Sequence, residues 1–156
     1  MTKFVFNIDP VEQARPRATI IKVYDNAKRR FKNSVRMYDP KKVVEYKALL
    51  KMLAIQERKI KKYQLIEKDK PFHVSVVFYR PVQRSLSKVE KMKRILGKVF
   101  PTVKPDLDNY IKSTFDALNG VLWHDDNNIV SIHAMKMYSD KPRIEITISE
   151  NIPTWE

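Results

Sequence analysis

The chain has 156 residues, and its 31 lysines and arginines outnumber its 18 acidic residues, which gives a formal net charge of +13. It contains no cysteine and no apolar run of about 18 residues, which excludes disulfides, thiolate metal sites and a transmembrane helix. The excess of cations predicts a phosphate-rich partner, although a merely soluble basic protein stays open. We expect no membrane partner, because a membrane surface requires a basic amphipathic helix with large apolar residues opposite, and only Lys88–Val99 weakly resembles one. The N-terminus lacks a signal-peptide pattern, so we expect one compact cytoplasmic domain.

The first forty residues predict three strands and one basic turn. Apolar side chains alternate over residues 4–8, which is the pattern of a half-buried strand. Residues 18–24 and 34–38 form a predicted hairpin, whose turn at 25–33 is basic and contains Phe31. This turn suits nucleic acid because an aromatic ring can stack on an unpaired base. A charged turn that keeps a sheet edge soluble is the open alternative.

Two arginines just before the hairpin flank a proline. Pro16 favours an extended Arg15, and side chains two residues apart in an extended segment point the same way. Arg15 and Arg17 can therefore grip one phosphate backbone through their guanidinium forks, and a solvated basic loop is the alternative. With the turn and one later lysine, the predicted phosphate contacts are Arg15, Arg17, Lys28, Arg29, Arg30, Lys32 and Lys104.

Helices and strands follow one another in the rest of the chain. Asp39 at the N-cap and Pro40 are helix-start signals, and apolar residues recur at helical spacing from Val43 to Ile60. The later predicted elements are a central strand at 71–79, an amphipathic helix within 81–100, a helix from Pro105 to about Asn119, and strands at 128–138 and 143–148.

Residues 104–130 concentrate five aspartates in an otherwise basic chain. Two lysines against five aspartates give this segment a charge of −3 and leave +16 for the remainder. Asp108, Lys112 and Asp116 are spaced four apart, which places them on one helix face, and Asp106 lies at or just before the first turn. Acids at a helix start also stabilise the macrodipole, so structure alone can explain part of this pattern.

A second acidic pair, Asp125 and Asp126, directly precedes a predicted strand. Adjacent side chains of an extended segment point to opposite faces, so one of the pair can approach Asp106 and Asp108. Three such carboxylates repel one another unless a cation neutralises them, and oxygen ligands without cysteine favour Mg²⁺ or Mn²⁺. Zinc is less suited, because the three histidines lack ligand spacing and are interpreted as structural: His73, His124 and His133.

The acidic segment resembles the RusA family of Holliday-junction resolvases. The matching motif is Lys104-Pro105-Asp106-Leu107-Asp108-Asn109, then Lys112, then Asp116-Ala117-Leu118-Asn119-Gly120, then Asp125-Asp126 and Val130. The resemblance extends toward the N-terminus through Arg15-Pro16-Arg17 and Tyr38-Asp39-Pro40-Lys41. It covers most of the chain, and Arg84–Val99 is the part that matches least.

This resemblance implies a fold, a cofactor and partners. The implied fold is α+β, a small mixed β-sheet packed by two to three helices, in one domain at residues 1–150 followed by a tail at 151–156. The implied protein is a homodimer that nicks four-way DNA junctions during recombination and repair, and that needs Mg²⁺, for which Mn²⁺ can substitute. Members are common in phages and prophages, so we expect a phage-encoded protein acting in the bacterial host cytoplasm.

The same resemblance implies the catalytic residues. Asp106, Asp108 and Asp126 match the family's catalytic, metal-binding carboxylates, Asp125 is a further candidate ligand, and Lys112 matches its essential lysine. Which of Asp125 and Asp126 faces the metal stays open.

Two other functions stay open as well. One is a less selective flap or branched-DNA nuclease with the same site, and the other is a non-catalytic DNA-binding protein whose acids are structural. Arg84–Val99 has two candidate roles, as an additional DNA-binding helix or as part of the dimer contact.

Overall fold

The chain folds into a four-stranded sheet, a separate two-stranded ribbon and three helices, in a computed structural model that describes residues 1–154. The strands are β1 (Thr2–Phe6), β2 (Arg17–Asp25), β3 (Arg30–Tyr38), β4 (Phe72–Pro81), β5 (Ile129–Ser139) and β6 (Arg143–Ser149). The helices are α1 (Lys41–Ile60), α2 (Lys88–Ile95) and α3 (Leu107–Leu118), and a 3₁₀ turn spans Asp126–Asn128.

These elements confirm the predicted α+β class. The predicted tail at 151–156 lies partly outside the described residues, since residues 155 and 156 are not described. No helix within residues 1–154 is long and apolar enough to cross a membrane.

The larger sheet is mixed and has the order β1-β6-β4-β5. β4 is its central strand, antiparallel to β6 and parallel to β5, and its alternating residues Phe72, Val74, Val76 and Phe78 are buried as predicted. A parallel pair needs a long crossover connection. Here that crossover contains α2, α3 and the acidic segment, which therefore lie against the sheet.

Two helices cover the buried face of this sheet. α1 contributes Tyr46, Leu50 and Ala54 to the core, and α3 contributes Phe115 and Leu118, all at helical spacing. Because this stripe of α3 is fixed in the core, the opposite stripe of the helix is held toward solvent.

The ribbon of β2 and β3 stands apart from the larger sheet, and its turn is shorter than predicted. The Asp25 carboxylate accepts hydrogen bonds from the backbone N–H groups of Ala27 and Lys28, at 3.1 and 3.2 Å. This compact turn lets the strand resume early. Arg30 and Lys32, predicted to lie in the turn, are therefore on β3.

The segment Arg84–Val99 contains α2, which is shorter than predicted and is capped by Ser87. Its apolar side is not in the core, contrary to the expectation for an amphipathic helix, and Val89 is 65 % exposed. A cation–π contact holds it to β5 instead, with the Arg94 guanidinium 4.7 Å from the centre of the Tyr138 ring.

Candidate active site

Asp106 and Asp108 stand at the start of α3 with free carboxylates. Asp106 is the N-cap residue, in an extended conformation, but its side chain makes no capping hydrogen bond. Asp108 lies in the first turn, and both residues are exposed. The positive end of the helix dipole favours these charges, and the helix end itself leaves both carboxylates available to bind a cation.

Two cations fix the loop that leads into α3. The Arg80 guanidinium, at the end of β4, donates to the carbonyl oxygen of Lys104 at 3.0 Å. The Lys136 ammonium, on β5, donates to the carbonyl oxygen of Pro105 at 2.9 Å. The residues just before Asp106 are thereby held against the sheet. Sequence reasoning missed both cations, because they lie 24 and 31 positions from their partners along the chain.

The N-terminal segment is pinned to α3 at two points. The backbone N–H of Gln13 donates to the carbonyl oxygen of Asn109 at 2.9 Å. The Ser113 hydroxyl donates to the carbonyl oxygen of Val11 at 2.5 Å. These bonds fix the chain just before Arg17 relative to the helix that carries the first acidic pair.

A cleft of about 520 Å³ opens between this segment, the start of α1 and the loop before α3. Three cations line it, Arg17, Lys42 and Arg80, and Pro105 places its edge next to Asp106. Two acids also belong to the lining, Asp9 and Glu12. The cleft thus brings cations of three separate elements beside the first acidic pair.

Lys47 joins two aspartates across the contact between α1 and α3. Its ammonium lies 3.1 Å from the Asp39 carboxylate and 3.2 Å from the Asp116 carboxylate. The side-chain amide of Gln13 donates to Asp39 at 2.9 Å. The hydrogen bond from Lys47 lowers the pKa of Asp39, and the charge of Lys112 acts in the same direction. Asp116 therefore has a structural partner, which is Lys47.

The prediction that Asp39 caps α1 is wrong. The N-cap residue is Pro40, and no side chain caps this helix end. The carboxylate of Asp39 is instead bound by an ammonium and an amide, which offer it charge-assisted hydrogen bonds.

Replacing Lys47 by methionine should lower the free energy of unfolding at pH 7 by about 1 kcal/mol, because both ion pairs are lost. The pKa of Asp39 is below its usual value when folded, so its ionised form adds stability above about pH 4, and this is lost as pH falls through the folded pKa. The difference in the free energy of unfolding between variant and wild type should therefore become smaller in acid. Urea unfolding of both proteins at pH 7 and at about pH 3 measures this difference.

The matched control for this prediction is Lys51→Met, which removes the same charge from an exposed position of the same helix. It should change stability by no more than about 0.5 kcal/mol. An equal loss in both variants, or a gap that widens in acid, would contradict the role assigned to Lys47.

The second acidic pair follows a deeply buried tryptophan. Trp123 is 1 % exposed and packs between Phe115 and Phe72, with ring centres 5.3 and 6.0 Å away. Aromatic pairs at such separations stabilise a core beyond their buried area. Trp123 therefore anchors the start of the exposed turn that carries Asp125 and Asp126.

Asp125 and Asp126 have different surroundings within that turn. The Asp125 carboxylate accepts a hydrogen bond from the backbone N–H of Asn127 at 3.0 Å. Partial desolvation and the adjacent Asp125 carboxylate raise the pKa of Asp126, and the Asp116 carboxylate adds to the shift. A cation bound here would relieve this repulsion.

The four exposed carboxylates are chemically suited to a divalent cation. Within residues 1–154, no ion pair involves Asp106, Asp108, Asp125 or Asp126, although the chain is strongly basic. Carboxylate oxygens are ligands that fit Mg²⁺ or Mn²⁺. The described residues nevertheless contain no group of three or more acids and histidines close enough to share an ion. In the sequence the acids form two pairs, Asp106 with Asp108 and Asp125 with Asp126.

The predicted cationic residues lie on the surface. Lys112 is exposed on α3, and among the described residues it forms no ion pair with Asp108. The Lys32 ammonium forms an ion pair with the Asp25 carboxylate, at a distance of 3.4 Å. All the predicted phosphate contacts are exposed, namely Arg15, Arg17, Lys28, Arg29, Arg30, Lys32 and Lys104.

His73 has hydrogen-bond partners that support a structural role. The ring nitrogens of His73 lie 3.0 Å from the Ser131 hydroxyl and 2.9 Å from the Ser75 hydroxyl. The imidazole is buried on the sheet and both nitrogens are occupied, as expected for a structural histidine.

Comparison with known proteins gives concordant matches over nearly the whole chain. A family model described as Endodeoxyribonuclease RusA matches residues 7–149. The "Uncharacterized protein YqaN" of Bacillus subtilis (strain 168) is 37 % identical over 150 residues, which are 95 % of each chain. The "Crossover junction endodeoxyribonuclease rusA" of Lactococcus phage r1t is 29 % identical over 149 residues, 95 % of this chain and 97 % of the phage protein.

Proposed function

The chain belongs to the RusA family of endodeoxyribonucleases, and from this we propose that it resolves four-way DNA junctions by metal-dependent hydrolysis of the backbone. The observation that carries the proposal is the family match over residues 7–149, which includes every carboxylate of the acidic segment. Four carboxylates that have no cationic partner within residues 1–154, in a chain of charge +13, support a site that holds metal and acts on a polyanion.

Mg²⁺ is the proposed cofactor, and Mn²⁺ can substitute for it. Asp106, Asp108 and Asp126 would bind it, with Asp125 as a further ligand. When bound, such an ion supplies an activated water and stabilises the charge that develops on the phosphate. The described residues contain no group of three or more acids and histidines that could hold an ion, so the support for this site is the family match and the chemistry of its carboxylates.

The residues of the chain have distinct roles in the proposed cleavage. The oxygen of water bonds to phosphorus, and the 3′ oxygen leaves with a proton, so the ends are a 5′-phosphate and a 3′-hydroxyl that a ligase can join. Lys112, one turn after Asp108 on the same face of α3, can hold the scissile phosphate or the leaving oxygen. Arg15, Arg17 and the basic turn would bind the arms through phosphates, without reading sequence.

We further propose that the protein is a homodimer. Two sites related by a two-fold axis would suit paired nicks across a symmetric junction. We assign this activity to the domain at residues 1–150 and place it in the bacterial cytoplasm. The phage relative supports a phage or prophage origin.

The test compares a labelled four-way junction with a flap and a plain duplex, each with Mg²⁺, with Mn²⁺ and with EDTA. We expect the junction to be cut on the order of 100-fold faster than the duplex, and all cleavage to stop in EDTA. Comparable rates on all three substrates would favour a less selective branched-DNA nuclease. Junction binding without cleavage in either metal would favour a non-catalytic DNA-binding protein.

A further inference from the structure

The two faces of the β2–β3 ribbon have opposite chemistry. In the observed register Ile20 lies opposite Val35, and alternate residue pairs share a face. One face, here called the apolar face, consists of Ala18, Ile20, Lys22, Tyr24, Phe31, Asn33, Val35 and Met37. The other, the basic face, carries four cations and one acid beside three apolar or aromatic residues, and consists of Arg17, Thr19, Ile21, Val23, Asp25, Arg30, Lys32, Ser34, Arg36 and Tyr38.

The apolar face is open to solvent in the single chain. Its side chains of Ile20, Phe31 and Val35 are 71 %, 67 % and 65 % exposed. No helix or strand within residues 1–154 packs extensively against either face of the ribbon. An isolated two-stranded ribbon is marginally stable in water, and a contiguous exposed apolar patch marks an interaction surface. A ribbon of nine residues per strand therefore needs a cover in the free protein, before any DNA arrives.

We infer that the apolar face packs against the same face of a second copy of this chain. This rests on the dimer of the proposed function and names its surface. Lys22 is the one charged residue on the apolar face, so apposing two such faces brings few like charges together. Aliphatic side chains such as Ile20 and Val35 offer nothing to a phosphate backbone, whereas the basic face does. Phosphate groups and an acidic partner are thus both directed to the other side of the ribbon.

A two-fold interface uses the same surface of both subunits, and an apolar surface can pack against a second copy of itself. A ribbon of nine residues is about 30 Å long and two strands cover about 10 Å, so each copy would contribute roughly 300 Å². Two copies then give roughly a third to a half of a standard interface. The ribbons would form its centre, where single substitutions have the largest effects.

Packed in this way, two ribbons would form a two-layer arm, with faces about 10 Å apart. Both basic faces would then point outward, on opposite sides of the arm. The dimer would present Arg17 and Arg36 of each protomer to DNA on two sides, which matches a substrate with paired arms.

The first test measures the oligomeric state of the full chain without DNA, by sedimentation equilibrium. Wild type should be a dimer, and Ile20→Glu should raise its dissociation constant by roughly 100-fold or more, because two unpaired carboxylates would be buried. Thr19→Glu is the matched control, since it adds the same charge one residue away on the basic face and should leave the dimer intact. A monomeric wild type, or an Ile20→Glu dimer of unchanged affinity, would overturn the inference.

A second measurement does not depend on the Glu variant folding. The chain has no cysteine, so Val35→Cys introduces a unique thiol on the apolar face, and Thr19→Cys introduces one on the basic face. A short bis-maleimide should link two copies of Val35→Cys without DNA and leave Thr19→Cys monomeric on denaturing gels. Linking of Val35→Cys only when DNA is present would overturn the inference in favour of a DNA-covered face.

These outcomes are independent of catalysis. A protein that dimerises through this face but never cuts a junction would overturn the proposed function and leave the interface standing. A wild-type monomer that cuts junctions would overturn the interface alone.

Discussion

Asp106→Asn, Asp108→Asn and Asp126→Asn should each slow cleavage of a four-way junction on the order of 1,000-fold, while junction binding stays within a few-fold of wild type. Asparagine keeps the size of the side chain but removes the negative charge that a divalent cation requires. Binding survives because phosphate contacts come from cations elsewhere, and losing an acid near the DNA cannot weaken them. Cleavage is measured in single turnover with Mg²⁺, and binding by mobility shift in Ca²⁺.

The control for these variants is Asp69→Asn. Asp69 is exposed and has a φ of 67°, a conformation that asparagine adopts as readily as aspartate. It should cleave at the wild-type rate. Full activity in all three site variants would contradict the metal site, and loss of junction binding together with cleavage would show that the acids are structural.

Asp125→Asn should be milder than Asp126→Asn, by at least about tenfold in cleavage rate. The Asp125 carboxylate already accepts the backbone N–H of Asn127, and an asparagine oxygen can accept the same bond. Within residues 1–154, no other residue's backbone N–H donates to the Asp126 carboxylate, which leaves Asp126 the more available ligand. A larger loss in Asp125→Asn would reverse the assignment of the two residues.

The largest expected effect on stability is that of Trp123→Ala, which should lower the free energy of unfolding by about 3–5 kcal/mol. The indole is almost completely buried between Phe115 of α3 and Phe72 of β4, so its removal leaves a large cavity between these two elements. Since small domains are stable by only about 5–15 kcal/mol, this is a large fraction of the total. Urea unfolding monitored by far-UV circular dichroism measures the loss.

Trp123→Phe and Phe100→Ala are the controls for the cavity effect. Phenylalanine retains most of the contacts and removes the indole N–H, which is buried without a hydrogen-bond partner in the described structure, so the loss should stay below about 2 kcal/mol. Phe100 is 53 % exposed, and its removal should cost less than about 1 kcal/mol. A Trp123→Ala variant as stable as Phe100→Ala would mean that the turn carrying Asp126 is not anchored by the core.

The fold could be predicted where periodicity determines burial. Alternation along β4 identified its central position, because a strand between two neighbours in a covered sheet must bury one whole face. Helical spacing after Pro40 identified α1 for the same reason. The family match confirms the nuclease prediction, and the roles of individual carboxylates remain predictions.

The contacts that position the site could not be predicted, because they join residues distant in sequence. The spacing of Asp108, Lys112 and Asp116 places them on one face of α3, but the cation that pairs with Asp116 is Lys47 of α1. The sequence likewise predicted that Asp39 caps α1, but its carboxylate is bound by Lys47 of that helix and by Gln13. Local spacing shows which ion pairs and hydrogen bonds are possible, and tertiary packing determines which of them form.

In the proposed cleavage, the two hydrogen bonds that pin the N-terminal segment to α3 would also set a distance along DNA. If Arg17 binds one phosphate and Asp108 lies at the phosphate that is cut, the short stretch of chain after Gln13 fixes the distance between these two phosphates. A short stretch that is fixed to α3 at Gln13 would favour one nick position, whereas a long unattached arm would scatter the nicks over several nucleotides. Two nicks at equal offsets from a junction centre are ends that can be sealed without gaps or flaps.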